Sequence, residues 1–195
     1  SEVYSIDELY ELEKKIITIL ILYGEKQETF NESILIFSEQ NDEILEKNKY
    51  VKSKVYEKIF LDLQQDEIEF ANAEFRELFD ILITEYQING FISIEKIVPT
   101  LSKGLSEIVS SILLQEEKHL LHSWDKKSIF VKMPSENVST MVTEIILSLR
   151  KLLVNRKIES LQKNIKSKND RGVLEDVMGY YQLRRIVSSK LNRVL

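Results

Sequence analysis

The stretch ENVSTMVTEIILSLRKLLVNRKIESLQKNIK, residues 136–166, decides the fold. It contains neither glycine nor proline, so nothing inside it stops a helix. Pro134 precedes it, and SKNDRG (Ser167 to Gly172), whose composition predicts a turn, follows it. The spacing predicts one helix from about Glu136 to Lys166, with an apolar stripe that changes face. Val138, Val142, Ile145, Leu149 and Leu152 hold one line, and continuing that line reaches Arg156 and Glu159. A second line, Val154, Ile158, Leu161 and Ile165, starts roughly 200° around the helix at about 100° per residue. One straight helix with two stripes needs two neighbours. The first half is expected to pack on a body built upstream, and the second half on the last helix.

That last helix is expected from about Val173 to Arg193. Val173, Val177, Tyr180, Val187, Leu191 and Val194 form a stripe interrupted only by Arg184. It predicts an antiparallel hairpin with residues 154–166. A second row remains uncovered: Leu174, Met178, Tyr181 and Arg185. Aromatic, methionine and arginine side chains in an exposed apolar row have the composition of an interface centre. These four are the candidate partner-binding residues.

Upstream, SIDE (Ser5 to Glu8) reads as a capping box with Ser5 as N-cap. Leu9, Leu12, Ile16, Ile19 and Leu20 then follow helical spacing, and Gly24 supplies the stop. Residues 25–54 read as less regular, with ESILIFSE (residues 32–39) a short helix or buried turn. Val55 to Leu63 reads as helical. From Asn72 to Gly90, Phe75, Leu78, Phe79, Leu82, Ile83 and Tyr86 share one face. Ser93 caps a further segment, and SEIVSSILLQEEKHLL (residues 106–121) gives another helix. The expected fold is all-α. A helical bundle over residues 1–153, including the first half of the long helix, leads into a C-terminal antiparallel helical hairpin over residues 154–195.

At 195 residues and 43% hydrophobic content the chain can bury a core, and two prolines with five glycines argue against a meander of short strands. With no cysteine, neither disulfides nor thiolate metal sites are available, which suits a reducing compartment. No basic segment followed by an uncharged apolar run opens the chain. The longest apolar run, IITILILY (Ile16 to Tyr23), is far shorter than a bilayer requires. A soluble cytoplasmic protein with no membrane partner is expected. A first residue of serine rather than methionine points to a fragment of a longer parent. The net charge of −5 is polarised, because residues 131–195 hold 13 Lys+Arg against 6 Asp+Glu while the remainder holds 14 against 26. An acidic body carries a basic tail.

Sharper chemistry finds little support. Glu116, His119 and His122 give one Glu-x-x-His pair, whereas a di-iron bundle needs two such motifs and further carboxylates. Asp62 and Asp66 loosely echo diphosphate-binding segments, but no second segment accompanies them. Trp124 reads as a plug between helices. No glycine-rich phosphate loop and no nucleophile–base arrangement is present, so no catalytic residue, metal, cofactor or small-molecule substrate is expected. The alternative reading is a helical module that binds single-stranded nucleic acid through the basic hairpin, with Tyr180 and Tyr181 as stacking platforms. Arg150, Arg156 and Lys157 would serve it, yet their helix has apolar neighbours and the acidic body repels nucleic acid. Nucleic-acid contact is therefore expected to be indirect or weak.

Three blocks carry a family resemblance: VYEKIFLDLQQDEIEFANAEFRELFDIL (residues 55–82), HSWDKKSIFVK (residues 122–132) and MGYYQLRRIVSSKLNRVL (residues 178–195). They resemble the C-terminal region of bacterial DNA primases, especially of the Bacteroidetes type. Phe70, Phe75, Arg76, Leu78, Phe79, Gly90 and Ser93 are also similar to a pattern in the N-terminal domain of replicative DNA helicases. Phe75 stands where that pattern has histidine, which loosens the second kinship. The primase resemblance implies a helicase-binding module that catalyses nothing itself. The parent enzyme's zinc-binding and polymerase domains would precede residue 1. It implies docking of the terminal hairpin, about Val154 to Leu195, on the N-terminal domains of the helicase hexamer, within the replisome.

Overall fold

A computed structural model describes residues 7–38, 43–125, 138–165 and 171–194. Asp7 opens the first helix, α1 (Glu8–Tyr23), by accepting a hydrogen bond from the Leu9 amide at 3.2 Å. Asp7 thus does the work assigned to Ser5, which lies outside the described residues. Gly24 ends α1, and the ring of Tyr56 lies so close to it that any Cβ there would collide.

Residues 25–54 differ from the sequence reading. They form an antiparallel ribbon of β1 (Gln27–Ser38) and β2 (Glu43–Lys54), in register from Gln27 opposite Lys54 to Ser38 opposite Glu43. The run at residues 34–37 is strand, neither helix nor buried turn, and the fold is mostly helical rather than all-α. The physical reason is non-local. Phe30 is fully buried beneath the base of the ribbon, and Val51 opposite it is half-buried, which anchors the pairing. Farther out, Lys47, Asn48, Lys49 and Tyr50 are all exposed. Successive strand residues point to opposite faces, so both faces are solvated there and the ribbon has left the body.

The remaining described elements are helical: α2 (Val55–Gln65), α3 (Ala73–Asn89), the short α4 (Ile94–Ile97) with a 3₁₀ turn (Val98–Thr100), α5 (Lys103–Asp125), α6 (Val138–Ile165) and α7 (Arg171–Val194). Asn72 caps α3 through a 3.0 Å bond from the Phe75 amide, and Gly90 ends it in the left-handed conformation at φ 71°, which favours glycine. Ile16, Ile17 and Leu20 of α1 meet Tyr56 and Ile59 of α2, Phe75, Leu78 and Leu82 of α3, and Leu105 and Val109 of α5 in one core. Val138, Val142, Ile146 and Leu149 of α6 belong to the same core. Glu13, only 3% exposed, holds α3 to α1, because its carboxylate accepts from the amides of Ala71 (2.6 Å) and Asn72 (3.0 Å). A polar clasp joins the base of the ribbon to the end of α3. Lys54 Nζ donates to Glu25 at 2.8 Å and to the Gly90 carbonyl at 3.1 Å, while Glu25 also accepts from the Ile92 amide at 2.6 Å.

The long helix runs through residues 153 and 154 without interruption. Val154 and Ile158 of the second stripe are buried, in line with the shift of face. The first half of α6 was assigned to the body alone, yet Leu147 packs with Val187 and Leu191 of α7. The end of α7 therefore lies beside the beginning of α6. The two helices have 24 and 28 residues, about 36 and 42 Å at 1.5 Å per residue, so α7 returns along most of its neighbour. Among the described residues no helix is long and apolar enough to cross a membrane.

Candidate functional site

The exposed face of α7 beside its seam with α6 is the best-formed candidate. Val177, Val187 and Leu191 are buried on one side of this helix, as their stripe predicts. Leu174, Met178, Tyr181 and Arg185 recur at steps of four, three and four, which keeps them within about 60° of one another. They are exposed: Leu174 at 53%, Met178 at 60% and Tyr181 at 38%, with Arg185 in the same class. The structure thus brings all four sequence-derived candidates onto one solvent-facing row.

Tyr181 is the ordered member. Its hydroxyl oxygen accepts from Gln162 Nε2 of α6 at 2.6 Å, and the Arg184 guanidinium sits 4.6 Å from its ring centroid. Those contacts hold the hydroxyl and one face of the ring while leaving the residue 38% exposed, which lowers the entropy lost when a partner covers it. Leu183 (43% exposed) and Ile186 (51%) add apolar surface beyond the row. Sequence reasoning passed over both. Their signal was simply that they are apolar residues falling outside the stripe that faces α6.

Most of the other nominated residues have partners or lie outside the described ones. Arg150 of α6 bonds to Asp66 and lies 3.5 Å from Asp62, while Lys58 reaches Asp62 at 3.1 Å and Glu32 at 2.8 Å. Asp62 and Asp66 are thereby neutralised within the chain and tie α2 to α6. Arg156 lies 3.3 Å from Asp7, so two of the three α6 cations nominated for nucleic acid are engaged with carboxylates. Lys157 is exposed. The side chains of Glu116, His119, His122 and Trp124 on α5 lie outside the described ones. Among the described residues no group of three or more potential ligands is placed to hold a metal ion.

One partly buried polar network has perturbed titration. Tyr86 donates from its hydroxyl to Glu57 at 2.6 Å, and Glu57 also accepts from the Lys54 amide at 3.0 Å. That hydrogen bond, then burial, then the charges of Glu57 and Glu25, push the Tyr86 hydroxyl up to about 12. Burial, with Glu25 adding to it, pushes the neighbouring Tyr56 hydroxyl higher still. Both keep their protons in neutral solution, so neither phenol is a base there, and the Tyr86–Glu57 bond ties α3 to α2.

The model of one protein family, described as a domain of unknown function (DUF8430), matches residues 2–194. The chain belongs to that family. No curated protein and no solved structure matches it.

Proposed function

We propose that this chain is a non-catalytic docking module of a DNA primase, which binds the N-terminal domains of the replicative helicase hexamer and so keeps primer synthesis at the replication fork. The observation that carries the reading is the open row Leu174, Met178, Tyr181 on α7, whose tyrosine is already ordered by Gln162 and Arg184. The resemblance of the three sequence blocks to the primase C-terminal region supplies the partner. In this reading α6 and α7 act as an antiparallel helical hairpin standing on a helical bundle, and the hairpin face is what the helicase covers. The enclosing protein would work in the cytoplasm, at the replisome.

The row is helical, apolar along Leu174, Met178 and Tyr181, and ends in Arg185, with the Arg184 guanidinium beside the Tyr181 ring. Such a face suits a partner helix with apolar anchors at i, i+3/i+4 and i+7 and carboxylates along its margins. Of the 13 basic residues in positions 131–195, those on α7 would steer an acidic partner surface toward the row. The test is direct. The chain mixed with a hexameric replicative helicase from a bacterium of the primase's own type should co-migrate with it on a sizing column. Separate elution at micromolar concentrations and low salt would remove the helicase from the reading.

A further inference from the structure

The β-ribbon carries a surface that the docking face on α7 does not use. Tyr50 of β2 is 72% exposed, and among the described residues no hydrogen bond or ring contact holds it. Its register partner is Asn31, also exposed, and Asn48 and Lys52 flank it two residues away on the same face. Lys52 in turn stands opposite the exposed Thr29. The ring is thus an aromatic platform bordered by two side-chain amides, a hydroxyl and an ammonium group.

Lys47 and Lys49 emerge from the other face of the same strand, at the level where the ribbon has already left the body. With Lys52 they put three exposed cations along β2. The carboxylate opposite Lys49, Glu32, is already taken by Lys58 at 2.8 Å. Lys54 is not part of the set, because the clasp to Glu25 and Gly90 holds it. In a two-stranded sheet the outer edge of β2 has no neighbouring strand, so a chain can run along it. The opposite, body-facing side is occupied at its base by the buried Phe30.

We propose that the ribbon binds single-stranded nucleic acid around the open edge of β2, with one base stacked on Tyr50 on the outer face and the phosphates following that edge between Lys52 on the same face and Lys47 and Lys49 on the other. Asn31 and Asn48 reach the edge of the stacked base, since a side-chain amide both donates and accepts. A single strand fits because stacking on an exposed ring needs an unpaired base. The platform is bordered by polar groups, which disfavours an apolar protein partner or a lipid surface. The site is separate from the α7 row and does not depend on the helicase reading.

The test uses fluorescence anisotropy with a labelled oligothymidylate of roughly 20 nucleotides, longer than the span of about 4–16 that a single module covers. An oligouridylate of equal length serves as the RNA arm, and a duplex and a polyglutamate serve as competitors. The single strands should bind at low salt, and Tyr50→Ala should weaken them about tenfold. The triple substitution Lys47→Gln, Lys49→Gln and Lys52→Gln should flatten the dependence of log K on log salt by about 2, as expected for three phosphates in a single strand. Because these side chains are exposed, thermal melts of both variants should match the parent. Absence of single-strand binding at low salt would overturn the proposal. So would binding that survives both changes but falls with Arg184→Gln or Arg185→Gln, or competition by duplex or polyglutamate as effective as by single strand. Tyr50→Ala should leave helicase co-migration unchanged, which keeps failure of this site distinct from failure of the docking row.

Discussion

Replacing Tyr181 with alanine separates docking from folding. In the free protein the change removes one partly exposed hydrogen bond, from Gln162, and one surface cation–π contact, with Arg184. Each contributes about 0.5–1 kcal/mol at such a site. The ring is 38% exposed, and Val177, Val187 and Leu191 supply the buried contacts of α7, so no core cavity opens. The expected cost to the fold is about 1–2 kcal/mol, or about 2–8 °C in Tm for a chain of this length. In the complex the same ring would be the rigid centre of the covered row, where truncation costs about 1–3 kcal/mol, a factor of about 5–150 in Kd. Calorimetric titration against the helicase N-terminal domain, run well below the melt, reads the second quantity, and a thermal scan reads the first. Tyr181→Phe sharpens the comparison, since it keeps the ring and the Arg184 contact and loses only the acceptor for Gln162. The phenylalanine variant should therefore retain most of the affinity. If Tyr181→Ala melts several degrees early while its affinity equals that of the parent, the ring serves the packing of α7 on α6 and the docking argument fails.

Glu13→Ala should destabilise the protein by about 2–4 kcal/mol in a denaturant melt, because the Ala71 and Asn72 amides lose their buried acceptor. An effect below about 0.5 kcal/mol would show that water replaces the carboxylate. For Tyr86 the sign follows from a hydroxyl raised from an ordinary 10.0 to about 12, so its contribution is complete below about pH 10 and is lost as pH climbs toward 12. Tyr86→Phe should therefore show a shallower loss of stability across that window, with the residual slope carried by Tyr56. An unchanged alkaline limb would refute the link to Glu57.

The helices were legible where local chemistry decides. Asn72 and Gly90 bracket α3 as an N-cap acceptor and a left-handed stop, and both functions belong to one residue each. The stripe and the open row of α7 could be read because a helix converts sequence spacing directly into angle. The ribbon could not. Residues 47–54 read KNKYVKSK, polar on nearly every position, because both faces of the outer ribbon are solvated and no alternation is required. Its pairing depends on Phe30 reaching a core assembled from α1, α2 and α3, which no window of sequence contains. Glu13 was hidden for a related reason. An acid in an apolar helix reads as surface, and its two acceptor roles serve amides 58 and 59 positions away. The reach of α7 back to Leu147 was missed because the stripe of α6 was divided by position along the helix, whereas the structure divides it around the axis.

The continuity of α6 also governs how the protein reports occupancy of its outer face. One rod contributes Val142 and Leu149 to the main core and Leu147 to the seam with α7. Arg150 and Arg156 rivet the same rod to α2 and to the start of α1. No cut between residues 147 and 158 yields two pieces that each keep their interior, so the seam and the core are expected to melt in a single transition. A partner that covers α7 therefore stabilises the α1–α5 core as well, by RT ln(1 + [L]/Kd), which is about 2.7 kcal/mol at a hundredfold excess over Kd. Protection of the Ile16 and Leu20 amides, in the core that α1 shares with α6, becomes a remote gauge of what is bound at Tyr181.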